Sequence, residues 1–321
     1  MKKLLLTISM LLLPLQIYAY SNEIFIGGET IGIEVNSNGV YVVGYYNINN
    51  KNIGEANGFK IGDIIKEVNN KKIDSIESLN SLIKEEGIIP CKVKRNDIEL
   101  DLNLEVIEDN DILKTGLFVK DKISGIGTLS YIDPNTKVFG SLGHEILEST
   151  SFQKFEIKDG QIYTGEVSSI RKSNNKETGS KDATFDKNKV LGDIKVNETT
   201  GIYGIYKDTI NNKELYEIGT KEEIKKGKAI IRTVINNNQI EDFDINILSL
   251  NEDTTKNIYF EVIDNKLLEK TGGIIQGMSG SPIIQNNKIV GVVNYVIVEE
   301  ANKGYGIFIT TMLEEGDKLV E

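Results

Sequence analysis

The sequence predicts a mainly β protein in which a small β-rich unit precedes a larger pair of β-barrels. Three observations carry this expectation. Short apolar runs of strand character recur along the chain, as in Val40-Tyr41-Val42-Val43-Gly44-Tyr45, Ala229-Ile230-Ile231-Arg232-Thr233-Val234 and Ile245-Asn246-Ile247-Leu248-Ser249-Leu250. Others alternate with polar residues, as where Ile98, Leu100, Leu102 and Leu104 are spaced by Glu99, Asp101 and Asn103. Helical spacing is rare by comparison, and glycine- and asparagine-bearing turns recur at short intervals, the punctuation of an all-β architecture.

Composition narrows the class further. Charged residues make up 26% and apolar residues 39%, ordinary for a globular chain with a sizeable core. The net charge of −11 disfavours nucleic acid and anionic membrane surfaces as partners, since phosphate recognition needs basic patches. One cysteine, Cys91, rules out an intramolecular disulfide and a cysteine metal cluster, and the single histidine rules out a His-built zinc site. No metal or organic cofactor is expected. Cys91 sits in Pro90-Cys91-Lys92-Val93 and reads as a small buried apolar residue.

Taken in order, residues 1–22 open with Met1-Lys2-Lys3 and an uncharged apolar run, then Pro14, Gln16 and Ala19: a signal peptide or an uncleaved membrane anchor. The rest of the chain is then exported. Residues 27–106 read as a PDZ domain. The pattern Gly58-Phe59-Lys60-Ile61-Gly62-Asp63-Ile64-Ile65 with the Asn69-Asn70 turn is characteristic of it, and Ile76, Leu79, Leu82 and Ile83 follow at helical spacing behind Asp74 or Ser75 as cap. Such a groove adds an extended peptide, a C-terminus or an internal segment, as an extra strand. Its carboxylate-holding loop is expected at Thr30, Ile31, Gly32 and Ile33. The charged passage 107–116 is expected to be a linker, with the catalytic unit over 117–321. Within it, Leu129 to Gly140 reads as a hairpin about Asp133-Pro134-Asn135, and the polar stretch Lys172–Lys189 as a long exposed loop.

The chemistry is expected in Gln276-Gly277-Met278-Ser279-Gly280-Ser281-Pro282. A serine between glycines can sit on a tight, partly positive-φ turn that aims the Gly277 and Ser279 N–H groups at one point, an oxyanion pocket for acyl transfer. It is not the strand-to-helix elbow of the α/β-hydrolases, which would need glycine where Ser281 stands. A serine hydroxyl needs a base, and the chain offers one histidine, His144, in Gly143-His144-Glu145. The order His before Ser is that of chymotrypsin-like enzymes. A third group must orient the imidazole. Asp182, Asp186, Asp193, Asp242, Asp244 and Asp264 all stand between the two, and spacing by analogy favours Asp186 or Asp193.

Gly125-Ile126-Gly127-Thr128-Leu129, Gly140-Ser141-Leu142-Gly143-His144, Thr271-Gly272-Gly273-Ile274-Ile275-Gln276-Gly277-Met278-Ser279-Gly280-Ser281-Pro282 and Lys303-Gly304-Tyr305-Gly306-Ile307 together resemble the stage IV sporulation protein B peptidases. These are S55-type serine peptidases of endospore formers. The resemblance spans most of the chain and implies a PDZ domain followed by a trypsin-like double β-barrel. It implies Asp264 as the orienting acid, self-cleavage, and cleavage of a membrane-associated regulator of an intramembrane protease that processes a sigma factor precursor. It also implies a place between the mother-cell and forespore membranes. Where members often carry Thr-His after Gly291-Val292-Val293, this chain has Asn294-Tyr295, so no second candidate base is present. Two other readings are a PDZ-based scaffold with an inactive peptidase domain and a general envelope quality-control protease.

Overall fold

In the computed structural model, residues 20–174, 177–210 and 213–320 are described. The expected leader falls outside them up to residue 19. Strand accounts for 57% and helix for 9%, a mainly β protein as the pattern predicts. The first half of the chain forms β1 (Glu23–Ile26), β2 (Thr30–Tyr45), α1 (Ile53–Ala56), β3 (Ile64–Val68), β4 (Lys71–Lys72), α2 (Ile76–Leu82), β5 (Gly87–Arg95), β6 (Ile98–Asp109), β7 (Ile112–Lys114), β8 (Leu117–Ile132) and β9 (Val138–Ser141). Then follow β10 (Ile157–Arg171), β11 (Ser180–Glu198), β12 (Gly201–Tyr206), β13 (Leu215–Ile218), β14 (Gly227–Val234), β15 (Ile240–Leu250) and β16 (Ile258–Val262). The chain ends with α3 (Asn265–Thr271), β17 (Pro282–Gln285), β18 (Lys288–Ile297), β19 (Glu300–Phe308) and α4 (Ile309–Asp317).

Two closed rings of six strands organise the molecule. In the first, β8 pairs β9, β9 pairs β12, then β11, β10 and the first half of β2, which returns to β8. Ile31, Ile33, Leu129, Phe139, Ile162 and Ile202 fill its interior. In the second, β14, β15, β16, β19, β18 and β17 pair in turn and β17 closes back on β14. Ile231, Phe243, Ile245, Phe260 and Ile283 fill that one. Closure leaves no bare edge in either ring and buries the inward half of each alternating strand. β1 and β13 bridge β8 to β18, and Met312 and Leu313 of α4 pack into the junction.

The small unit departs from its expected bounds. Its core (Val40, Phe59, Ile65, Leu79, Val93, Leu104) also includes Leu117, at the start of β8. It is therefore an insertion carried on the far halves of β2 and β8, and the first half of β2 belongs to the first ring. Thr30, Ile31, Gly32 and Ile33 do not form a peptide-binding loop. They pair with Thr128, Gly127, Ile126 and Gly125 of β8 on one side, and Ile31 to Ile33 pair with β10 on the other. With both edges of the strand used and Ile31 and Ile33 in the core, nothing is left for a peptide to add to. The expected linker is also structured: β6 runs to Asp109 and folds onto β7 through Asn110 and Asp111, both at positive φ. Charge misled there, because an exposed hairpin tolerates it.

Other local expectations are met. Ser75 caps α2, its side chain accepting from Ser78 N at 3.1 Å, with Ser78 answering in a capping box. Cys91 is buried in the core of the inserted unit. The turn between β8 and β9 is pinned by the Asp133 carboxylate, which accepts from Asn135 N and Thr136 N at 2.9 Å each.

Candidate active site

The two rings meet at the Gly277–Ser281 turn. Thr128 N, on β8 of the first ring, donates to Ser279 O at 3.0 Å, while Gly280 N donates to Val293 O on β18 of the second at 2.7 Å. Ser130 Oγ donates to Gly280 O at 2.8 Å, and Ser281 N to Met278 O at 2.9 Å. Gly277 and Gly280 take φ of 93° and 92°, which L side chains rarely adopt. The turn is thus fixed from both sides with Ser279 half-buried at its apex.

Two of its amides are left without an acceptor. Gln276 O accepts from Lys181 N at 3.0 Å. In a trans peptide the N–H points opposite to the C=O, so the Gly277 N–H points away from β11. Among the described residues, neither the Gly277 nor the Ser279 N–H donates to any acceptor. Two free, fixed donors flanking a serine are the groups that would meet a developing negative charge.

His144 comes from the first ring. Leu142 and Gly143 after β9 take φ of 72° and 74°, a left-handed pair that turns the chain toward β18. A Cβ on Gly143 would fall 3.0 Å from the Cβ of Asn294. The ring of His144 stacks on Tyr295, centroids 5.7 Å apart. Its Nδ1 is 2.8 Å from Glu145 O. A carbonyl only accepts, so Nδ1 carries the proton and Nε2 is left as the acceptor, the tautomer a general base needs. Burial holds the imidazole pKa below its usual value, with the Glu145 carbonyl pulling weakly the other way.

Ser279 and His144 therefore both border Asn294–Tyr295, but no hydrogen bond joins them. Ser279 Oγ donates instead to Asn294 O at a long 3.4 Å. Catalytic hydrogen bonds commonly tighten only once substrate is bound. Asn294 Nδ2 donates to Thr255 O at 2.6 Å, while its Oδ1 is buried without a partner.

Asp264 is placed at the N-cap of α3, where its carboxylate accepts from Leu267 N at 2.9 Å and, weakly, from Asp244 N at 3.5 Å. The ring nitrogen it was expected to hold is taken by the Glu145 carbonyl. None of the other candidates reaches His144 either: Asp182 accepts from Ser169 Oγ, Asp193 pairs with Lys207 and Asp242 with Arg232. Sequence reasoning missed the carbonyl because every residue has one. Asp264→Asn keeps a good cap and should leave turnover within a few-fold, where a triad acid would lose about 10⁴-fold on the same change. Asp264→Ala should cost about 1 kcal/mol of stability, read from thermal unfolding. Among the described residues, no group of three or more His, Cys, Asp or Glu could hold a metal ion.

Comparison with curated proteins finds no match. Among solved structures, the chain is similar to the Rv3671c protease in its inactive form, at 13% identity and a TM-score of 0.34, covering 61% of this chain and 85% of that one. A serine-to-alanine mutant of Rv3671c from M. tuberculosis H37Rv, also inactive, gives 13% identity and a TM-score of 0.32, covering 61% and 80%. The SpoIVB peptidase S55 family matches residues 111–313, more than half of the chain and the whole of the site just described. The chain belongs to the SpoIVB peptidase S55 family and is a serine peptidase.

Proposed function

We propose that this protein is a serine endopeptidase in which Ser279 attacks the scissile carbonyl and His144 Nε2 takes the serine proton, then returns it to the leaving amine. The N–H groups of Gly277 and Ser279 would hold the oxyanion. The observation that carries the reading is the conjunction at one seam of a glycine-framed serine, two unused amides and a histidine with Nε2 as acceptor. Reaction would need the Ser279 hydroxyl to leave Asn294 O and turn to His144, a rotation about one side-chain torsion. His144 would be oriented by the Glu145 carbonyl and by stacking on Tyr295, with Asp264 fixing the helix that leads into the catalytic turn.

The closed rings support a trypsin-like double barrel, one ring bringing His144 and the other Ser279. For the inserted unit we propose the PDZ type, on the Gly58–Ile73 pattern and the capped helix α2. A captured peptide would lie along β8, the strand that α2 packs against, with Ile76 N donating to the Asp121 carboxylate at 2.7 Å, since β2 already holds the other edge of Leu117–Lys120. Family membership supports the sporulation role: an exported, membrane-associated enzyme between the mother-cell and forespore membranes, cleaving itself and a regulator of an intramembrane protease.

A fluorophosphonate probe followed by peptide mapping tests the core of this. Labelling is expected on Ser279; label elsewhere, or none on a folded protein, would overturn the assignment of Ser279 as nucleophile. The pH profile offers a second check. Because burial lowers the His144 pKa, the neutral base persists below the usual histidine midpoint, so the acid limb of kcat/KM should fall below about pH 6.5.

A further inference from the structure

One buried group at this seam has no part in the mechanism above. Lys181, on β11, is 3% exposed and has no carboxylate partner among the described residues. A lysine without a counter-charge in a protein interior is costly, and its burial calls for a reason. Its surroundings point to one.

The main chain of Lys181 holds Gln276 O, and so sets the plane of the peptide that carries the Gly277 N–H. Its side-chain stem lies under that glycine: a Cβ on Gly277 would stand 3.2 Å from Lys181 Cδ. At the far end, Lys181 Nζ donates to Thr233 Oγ1 at 2.9 Å. Thr233 Oγ1 is 2.9 Å from Ser281 Oγ, Ser281 Oγ is 3.4 Å from Thr128 Oγ1, and Thr128 Oγ1 donates to Gly277 O at 2.8 Å. Thr128, Thr233 and Ser281 are fully buried. Each hydroxyl has one proton to give. Lys181 Nζ and Ser281 Oγ both donate to Thr233 Oγ1, while Thr128 gives its own proton to the Gly277 carbonyl, so the ammonium is held by a hydroxyl that the catalytic turn itself braces.

We infer that Lys181 is a positioning residue for the oxyanion pocket, holding the Gln276–Gly277 peptide plane through its main chain and setting a buried positive charge behind the Gly277 N–H. The inference rests on Ser279 being the nucleophile. The charge would favour the anionic intermediate over the neutral ground state, so it would act on the chemical step rather than on binding. Charged groups on the neighbouring strands are engaged elsewhere. Asp182 accepts from Ser169, Arg232 pairs with Asp242 and Glu214, Glu241 pairs with Lys266, and Arg171 and Lys172 are exposed. Burial alone acts on Lys181 and brings it down to about 7, so its charge changes close to neutrality.

The test uses the purified full chain and a fluorophosphonate probe, with the inactivation rate constant and the probe's binding constant measured separately from pH 6 to 9. The wild-type rate constant is expected to decline above about pH 7. Lys181→Met, of similar length without the charge, should lower it at least tenfold at pH 6.5, flatten the decline, and leave probe binding within twofold. Thr233→Val keeps the lysine but removes the hydroxyl that holds its ammonium in place, and should lower the rate constant several-fold. If Lys181→Met folds and keeps the wild-type rate and profile, the inference is overturned. Should it fail to fold, an unchanged rate in Thr233→Val overturns it instead. Ser279→Ala separates the two readings: labelling that survives it removes the nucleophile assignment, whereas its loss beside a wild-type-like Lys181→Met removes only the role of Lys181.

Discussion

Ser279→Ala and His144→Ala should each abolish self-cleavage and cleavage in trans, lowering turnover by about 10⁴- to 10⁶-fold, and the double variant should be no worse than either. The expectation follows from one hydroxyl and one base at the seam, with no second histidine in the chain. Removing the serine leaves nothing to acylate. Removing the base leaves a hydroxyl whose proton has nowhere to go near neutral pH. Groups that act as one unit fail together, so their losses do not add. Both variants should remain folded, because neither side chain belongs to a hydrophobic core. The measurement is single-turnover cleavage beside circular dichroism on the same samples. His144→Ala retaining near wild-type proteolysis would falsify the mechanism, and Lys181 would then be the next group to examine as base.

How much of this was legible in the sequence depended on whether the signal was local. Ser279 between Gly277 and Gly280 was readable because positive φ at two glycines is a property of the turn itself. His144 was readable because it is the only histidine. The strands of the second ring were readable from β-branched runs such as Ala229–Val234. Features that depend on pairing were not. Thr30–Ile33 looked like the mouth of a groove, and only the neighbours β8 and β10 make it a central strand. The boundary of the inserted unit falls within β2 and β8, where no change of composition marks it. The polar run Lys172–Lys189 read as a loop, yet β11 begins at Ser180 and buries Lys181 among hydroxyls contributed by three other strands or turns. Hydropathy cannot report a lysine that is inside.

The second large effect is expected at Gly280, and it would act on fold and site together. A Cβ there would lie 2.2 Å from Thr128 O and 2.6 Å from Leu142 N, both main-chain atoms of the first ring. The residue also sits at φ 92°, where an L side chain costs of order 1–3 kcal/mol by itself. Relaxation is blocked on both sides. Gly280 N is tied to Val293 O at 2.7 Å and Gly280 O to Ser130 Oγ at 2.8 Å, so shifting the glycine breaks one ring's bond or the other's. Moving Thr128 instead would disturb the Thr128–Ser279 bond and the hydroxyl that holds Gly277 O. Gly280→Ala should therefore lose about 3–5 kcal/mol of stability. At roughly 2–4 °C per kcal/mol that lowers Tm by some 6–20 °C. Fluorophosphonate labelling of Ser279 should vanish even below the new midpoint, because the turn that carries Ser279 and its free amides is displaced. Gly125→Ala is the control: it lies on β8 with nothing within 4 Å of where a Cβ would stand, and it should shift Tm by no more than a degree or two. If Gly280→Ala unfolds within a few degrees of wild type and still labels, the seam between the rings is looser than these contacts require, and the oxyanion pocket must be assembled by substrate rather than fixed in advance.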